Sequence, residues 1–434
     1  MNKTIVLALV ILIILAVACA PAPTPVPPPP PATTAPSASS APSTSSSAQP
    51  TAVATKSGAV TQVKIGSIHP LTGGLAQDGA FLKNSIDLAV DEINSAGGIK
   101  SLGGAKLVVE QADSQGKPEV AQSEAERLIR AGDVALIGAY QSAATFNATQ
   151  VAEREQVPFV IDVAVSNNIM ERGFKYTFRI QPNQTAMAKG AGDGLKALGI
   201  KTVVMLHEDS IFGQGQADIF KKMAGDYGIT VLGDISYSLN NLTDLTTEVS
   251  KVQALKPDAV LVTGYLNDGV LMARTAKDLK LNVKAIFGIA SGAFSTPQFV
   301  DAVKDTANYF FDANYHWDAS NPKAQQVRDR YKAKFNSEMP THGVMAYEAT
   351  MVLADAIERA ASTDPKTIRD ALAKTNFANH ILPYDGPIRF DANGEAVNAR
   401  AIVMQVQNGN IVQVLPKQFA QKDPIFPMPA WDNR

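Results

Sequence analysis

The sequence predicts an α/β protein of two doubly wound lobes, each a mainly parallel sheet wrapped by helices. From residue 61 onward, short apolar runs typical of buried strands alternate with amphipathic helical patterns. After Gln181-Pro182-Asn183 this alternation begins a second time. Residues 61–434 also exceed the ~250–300 residues beyond which a single core usually divides. We therefore expect two lobes.

The first half begins with the strand Val63–Ile68 and the loop Pro70–Gly74. Gly97-Gly98 ends the helix that follows, as glycine commonly does. The alternation then predicts three more strands, at 106–110, 134–137 and 158–161. It predicts helices through 82–93 and at 119–131 and 144–155.

The second half repeats the pattern and closes differently. Helices are expected at 185–198, 213–227, 245–255, 267–279, 322–336, 342–361 and 365–374. Strands are expected at 202–206, 229–233, 258–263, 284–288 and 308–311. The last strands, at 387–390, 401–407 and 411–415, are separated by the hairpin turn signals Asp391–Gly394 and Asn408-Gly409. A small antiparallel segment should therefore end the fold.

The amino end reads as an export signal followed by a tether. Residues 1–18 hold Lys3 and an apolar run, Ile5–Val17, that is shorter than the ~20 residues of a membrane-spanning helix. Residues 19–60 are dominated by Pro, Ala, Ser and Thr, a composition that cannot bury enough apolar surface to fold. We expect this stretch to be an extended, disordered spacer.

Composition and motifs disfavour two classes of function. The 39 Lys and Arg nearly balance the 41 Asp and Glu, and no basic run is present, so nucleic-acid binding is not expected. An exported hydrolase would need a nucleophile with a base or a metal cluster, yet the five His are scattered and no G-x-S-x-G or P-loop occurs. His207-Glu208-Asp209 is read as a solvated loop. We expect no catalytic residue, metal or cofactor.

The stretch Asp133–Thr145 forms a candidate anion site. A buried strand ends at Gly138 and leads into a helix, whose first N–H groups and dipole favour negative charge. Ser142 and Thr145 either cap this helix or bind a ligand, and the stretch alone leaves both readings open. Similar loops follow the other predicted strands, at 70–74, 162–168, 207–215, 264–268 and 288–292. Ligands of open sheets bind beyond these strand ends, so two facing lobes should form a binding cleft.

Motifs along the whole folded region resemble one family. They are Gly66 with Pro70–Gly73, Asp91–Asn94, Gly97–Ile99, Gly138 with Ser142–Thr145, Val157–Phe159, Phe178-Arg179, Phe212–Gly215, Pro257–Val260 and Phe390–Gly394. The resemblance is to the leucine/isoleucine/valine-binding proteins that feed ABC importers, which are type I periplasmic binding proteins. Leu15-Ala16-Val17-Ala18-Cys19 similarly resembles a bacterial lipobox, which implies lipidation of Cys19.

The resemblance implies two Rossmann-like lobes joined by three crossovers. Lobe 1 would comprise residues 61–183 and 315–385, and lobe 2 residues 184–314 and 386–434. The implied function is that of an extracytoplasmic, membrane-anchored and monomeric lipoprotein. It would capture a small carboxylate-bearing solute, a branched-chain or related amino acid, and deliver it to ABC permease subunits.

The family pattern also implies which residues contact the solute. Ser142, Ala143 and Thr145 would hold its carboxylate. Ala164 would offer a backbone carbonyl to its ammonium, and Ser166 a hydroxyl to its carboxylate. Phe212 and Tyr265 would cover it from lobe 2, unless they are plain core residues.

One departure from the family leaves the solute open. Where amino-acid binders place an acid for the ammonium, this chain has Gly288-Ile289-Ala290. Asp78 and Asp162 are candidates for the missing charge, although each is equally compatible with a solvated or capping role. A solute without an amine (an amide, an aromatic or a short-chain carboxylate), bound for uptake or sensing, is the alternative.

Overall fold

The structure, a computed structural model, describes residues 60–434. The predicted export signal, the tether and Cys19 therefore lie outside the described residues. Among residues 60–434, no helix is both long and apolar enough to cross a membrane.

Lobe 1 is built on a five-stranded, all-parallel sheet in the order β2-β1-β3-β4-β5. Its strands are β1 Gln62–His69, β2 Lys106–Asp113, β3 Leu136–Gly138, β4 Phe159–Ile161 and β5 Thr177–Arg179. The helices that alternate with them are α1 Ala76–Ser95, α2 Pro118–Arg130, α3 Ser142–Glu155 and the short α4 Asn167–Met170. β3, β4 and β5 are buried at every residue, as expected of parallel strands covered on both faces.

Lobe 2 holds a seven-stranded sheet in the order β12-β11-β10-β9-β8-β6-β7. Its strands are β6 Thr202–Glu208, β7 Thr230–Tyr237, β8 Ala259–Thr263, β9 Ala285–Ile289, β10 Phe311–Asn314, β11 Ile402–Gln407 and β12 Asn410–Leu415. Its helices are α5 Gln184–Ala197, α6 Gly213–Met223, α7 Thr246–Leu255, α8 Leu266–Asp278 and α9 Pro297–Val303. Among the described strands, the pairs β10–β11 and β11–β12 are antiparallel and the other pairs are parallel, so the predicted antiparallel end of the fold is confirmed.

Three further helices return the chain to lobe 1. They are α10 Pro322–Phe335, α11 Thr341–Ala360 and α12 Pro365–Leu372. α10 and α11 pack on α1, α11 also contacts β3 and β4, and α12 packs on α11. The chain thus passes between lobes after β5, after β10 and after α12. The predicted α/β fold of two doubly wound lobes with three crossovers is confirmed.

Several predicted elements differ from the observed ones. Residues 387–390 are not a strand and form only isolated bridges, between Phe377 and Ile388 and between Phe390 and Ala396. β10 begins at Phe311 instead of residue 308 because Tyr309 has a left-handed φ of 74°, which interrupts extended backbone. The short elements α4, β5 and α9 were not predicted, since they span too few residues to display a period.

Candidate functional site

A cavity lies between the lobes, where the carboxyl ends of the two sheets face each other. Its empty space, counted together with the part that is open to solvent, is about 310 Å³. Every wall residue follows a strand end. The wall consists of Tyr140, Ser142, Val163, Ala164, Val165, Phe212, Gly264, Tyr265, Ala290, Gly292 and Tyr315. The site therefore suits a small solute with an apolar body.

The turn from β3 into α3 brings a helix N-terminus to this wall. Gly138 has φ of 143°, and a Cβ there would lie 2.5 Å from the Ile68 carbonyl oxygen, so only glycine fits. No side chain of the described residues caps α3, whose N-cap residue is Gln141. Ser142, the first helical residue, is 2% exposed and lines the cavity. Its hydroxyl accepts only a long 3.4 Å hydrogen bond from the Ser166 N–H. Ser142 thus does not act as a side-chain cap.

Three of the four residues predicted for the carboxylate lie beside the wall instead of on it, namely Ala143, Thr145 and Ser166. Thr145 is fully buried, and its hydroxyl donates to the Ala139 carbonyl at 2.5 Å while accepting from the Ala139 N–H at 3.2 Å. Thr145 therefore holds the turn that presents Ser142. Ala143 is not among the cavity-lining residues.

The loop after β4 places Ala164 on the wall, but its carbonyl is already engaged. That oxygen accepts hydrogen bonds from Gln181 Nε2 at 2.8 Å and from Arg179 Nη1 at 3.3 Å. The Ser166 carbonyl accepts from the same Arg179 nitrogen at 2.8 Å, whereas the buried Ser166 hydroxyl has no partner among the described residues. The Ser166 hydroxyl is thus less engaged than the Ala164 carbonyl, but Ser166 is fully buried and only Ala164 lies on the cavity wall.

Aromatic rings from both lobes form a continuous row. Phe212 and Tyr265, which precede α6 and α8, have ring centroids 5.4 Å apart. Tyr265 in turn lies 5.6 Å from Tyr140 of lobe 1, and Tyr140 lies 5.6 Å from His342. Phe212 and Tyr265 thus both lie on the cavity wall, and Tyr265 meets lobe 1 across the cleft.

Sequence reasoning missed several wall residues, above all Tyr140 and Tyr315. Tyr140 stands between Gly138 and Ser142 in the predicted loop, so its position was available as a signal. Tyr315 was missed because the strand before it was predicted to end at residue 311, whereas β10 ends at Asn314.

Asp78 is buried behind the wall and does not line the cavity. Burial raises its pKa to about 7, an effect that the nearby Tyr140 hydroxyl reduces and the charge of Asp268 increases. His342 Nε2 lies 3.6 Å from Asp78 Oδ1. Because burial lowers the pKa of His342 to about 3, this imidazole is neutral near pH 7 and does not balance the carboxylate.

Asp162 is also buried, and its carboxylate belongs to a chain of polar groups inside lobe 1. Asp162 Oδ2 lies 2.7 Å from His69 Nε2, and His69 Nδ1 lies 2.9 Å from the Ser67 hydroxyl. All three residues are fully buried. A solvated role, left open for Asp78 and Asp162 by the sequence, is therefore wrong for both.

The loop His207-Glu208-Asp209 differs from its predicted solvated state. His207 and Glu208 are buried, and Glu208 accepts hydrogen bonds from the N–H groups of Ser210 and Gly213 at 2.7 and 2.6 Å. Glu208 therefore caps the start of α6. Within residues 60–434, no group of three or more His, Cys, Asp or Glu is arranged to hold a metal ion.

Comparison with known proteins agrees with this fold and cleft. Residues 62–410 match the family described as periplasmic binding protein, so the chain belongs to that family. It is 31% identical over 380 residues to Leu/Ile/Val-binding protein homolog 8 of Brucella abortus, covering 84% of this chain and 93% of that one.

Two solved structures show the same fold. The leucine-binding protein LivK of Thermotoga maritima has a TM-score of 0.72 at 26% identity, with 81% of this chain and 97% of that one covered. LivJ of Streptococcus pneumoniae, a branched-chain amino acid transporter substrate-binding protein in complex with isoleucine, has a TM-score of 0.72 at 25% identity, with 84% and 100% covered. The chain is thus an extracytoplasmic substrate-binding protein of the ABC-transporter class and not an enzyme.

Proposed function

We propose that this protein captures a small carboxylate-bearing solute, a branched-chain or related amino acid, between its lobes and delivers it to an ABC permease. The observation that carries this proposal is the uncapped start of α3 on the cavity wall, with Ser142 beside it. A helix N-terminus offers unpaired N–H groups and partial positive charge to a carboxylate. The relatives' binding of leucine and isoleucine supports a branched-chain side chain.

The proposed mechanism is closure of lobe 2 over a solute already held by lobe 1. Ser142 and Ser166 would hold the carboxylate, and Phe212 and Tyr265 would then cover the apolar body. A ligand that contacts both lobes stabilises the closed state because the open state lacks half of those contacts. We place the boundaries of lobe 1 at 61–183 and 315–385, those of lobe 2 at 184–314 and 386–434, and infer that one copy suffices for binding.

A second candidate is a solute without an amine, such as an aromatic or short-chain carboxylate or an amide. It is favoured by one observation, that no acidic side chain lines the cavity among the described residues. An ammonium buried without an acidic partner would be costly. A solute without an amine avoids that cost.

A thermal-shift screen of the purified full chain tests the proposal. Amino acids, amides, and aromatic and short-chain carboxylates should be compared at equal concentration. A carboxylate at a hundredfold excess over its Kd should add about 2.7 kcal/mol of stability. Stabilisation by amides alone, or by no carboxylate, contradicts the proposal, whereas stabilisation only by amine-free carboxylates selects the second candidate.

We also propose that lipidated Cys19 anchors the protein to the outer face of the membrane. The support is the lipobox-like sequence before Cys19 and the spacer composition after it. Replacing the anchor residue, Cys19→Ser, should move the protein from the membrane fraction to the soluble fraction. Ser37→Ala, a change within the spacer, serves as the matched control, and membrane retention of Cys19→Ser would refute the anchor.

A further inference from the structure

Tyr140 carries a buried hydroxyl without a hydrogen-bond partner among residues 60–434. The residue is 5% exposed and lines the cavity, yet its Oη makes no hydrogen bond to any described residue. Buried tyrosine hydroxyls usually find a partner, because an unsatisfied polar group retains its full desolvation cost. The missing partner is therefore expected to come from outside the chain.

The ring of Tyr140 packs between two other rings, which fixes the position of its hydroxyl. Tyr265 and His342 flank the ring, each with a centroid distance of 5.6 Å. Across the cleft, a Cβ at Gly292 would lie 3.0 Å from Tyr140 Oη. The glycine keeps the space in front of this hydroxyl open.

The surroundings decide which hydrogen-bonding role remains for this hydroxyl. Asp78 lies behind it, near enough that the hydroxyl lowers the pKa of that carboxyl although no hydrogen-bond geometry is reached. A hydroxyl whose proton points toward a carboxylate presents its lone pairs to the opposite side. Here the opposite side is the cavity, so the hydroxyl is arranged to accept a hydrogen bond.

We propose that Tyr140, supported by Asp78, is the residue that recognises an N–H group of the solute, most simply the α-ammonium of an amino acid. This inference rests on the proposed function, because it takes the carboxylate to lie at the start of α3. Tyr140 is only two residues before Ser142, so one compact solute reaches both residues. The amine is then recognised from lobe 1, by a tyrosine in front of a buried acid.

The electrostatics around the cavity agree with a cation at this position. No Lys or Arg lines the cavity among the described residues, and the rings of Tyr140, Tyr265 and Phe212 offer negative faces to a cation. The other titratable groups near Asp78 are His342, Asp268, Tyr265 and Tyr315. His342 is neutral, and Asp268 is occupied by the Tyr265 N–H at 2.9 Å and the Tyr237 hydroxyl at 2.5 Å. Within the part of the chain that the structure describes, Asp78 therefore has no cationic partner.

The test removes the Tyr140 hydroxyl, by Tyr140→Phe, and compares pairs of solutes that differ only in the amine. Kd should be measured by calorimetry for L-isoleucine with 3-methylpentanoate, and for L-phenylalanine with 3-phenylpropanoate, each pair differing only in the amine. Wild type should prefer the amine-bearing member of at least one pair. Tyr140→Phe should reduce that preference about tenfold while changing the affinity for the amine-free member less than twofold. Asp78→Asn should reduce the preference as well.

Tyr331→Phe is the matched control. Its hydroxyl is also buried and has no hydrogen-bond partner in the described part of the chain, but it lies on α10 away from the cavity wall, so this variant should keep the preference. An unchanged preference in Tyr140→Phe, or a wild type that binds the amine-free members as tightly, overturns the inference but leaves the proposed function standing. Failure of wild type to bind any of the four carboxylates overturns both.

Discussion

At the scale of single residues, the buried carboxyl of Asp78 destabilises the folded protein when it is ionised. This carboxyl is 2% exposed, and burial raises its pKa from 3.8 to about 7. A folded-state pKa above the unfolded value means that the folded protein binds the proton more tightly. The stability contributed by protonated Asp78 is therefore present below about pH 4 and is lost as the pH rises through 7.

Asp78→Asn should stabilise the solute-free protein, and more so at high pH. The raised pKa corresponds to roughly 4 kcal/mol at pH 8, taken as an upper bound, and to little at pH 4. Urea unfolding at both pH values measures the difference in free energy of unfolding between wild type and variant. The contributions of the other buried acids cancel in this difference because both proteins carry them. A gain that is equal at pH 4 and pH 8 would show that Asp78 is not the titrating group.

The sequence predicts single site residues only where a motif fixes their backbone. Ser142, Ala164, Phe212 and Tyr265 follow strand ends, and all four line the cavity. The same logic could not separate Ser142 from Thr145, because both are hydroxyl residues on one turn and only the folded turn shows that Thr145 bonds to Ala139. The direction of each side chain decides which hydroxyl contacts the solute. The spacing of the two residues in the sequence does not determine that direction.

At the scale of elements, the β3–α3 turn is the most constrained part of the site. Gly138→Ala places a Cβ on backbone with a positive φ of 143°, which costs roughly 1–3 kcal/mol, and brings it within 2.5 Å of the Ile68 carbonyl oxygen. We expect lower stability and weaker solute binding, since the start of α3 must move. Thermal unfolding and calorimetry measure both effects.

Gly132→Ala provides the matched control for this turn. Gly132 also has a positive φ, of 90°, but a Cβ there would meet nothing within 4 Å. It should lose stability through backbone strain alone and keep its solute affinity. Equal losses in the two variants would contradict a special role for the β3–α3 turn.

Long elements were predictable because they repeat a period several times. α1 and α11 each span 20 residues. The predicted helix 342–361 differs from α11 by one residue at each end, and the predicted pattern 82–93 lies inside α1 but begins six residues after its start. The predicted strand at 387–390 failed because its apolar residues pack without joining a sheet ladder. Tertiary pairing decides such short segments, and local sequence does not report it.

At the scale of the whole molecule, the two lobes follow from the repeated strand–helix rhythm, whereas the cavity between them does not. Tyr140 and Tyr265 meet across the cleft, and Asn267 Nδ2 donates to the Gly74 carbonyl at 2.9 Å, joining α8 to the loop after β1. These partners are far apart in sequence. Their contact depends on how the lobes close, and no local pattern specifies that arrangement.

The central claim is that a solute carboxylate binds at the start of α3 in the interlobe cleft, and Ser142→Ala tests it most directly. Isothermal calorimetry with the tightest carboxylate from the screen should show affinity weaker by roughly 1–3 kcal/mol, because a buried carboxylate loses a hydrogen-bond partner. Ser123→Ala, which removes an exposed hydroxyl on α2, should bind as wild type does. Unchanged affinity in Ser142→Ala would contradict the account.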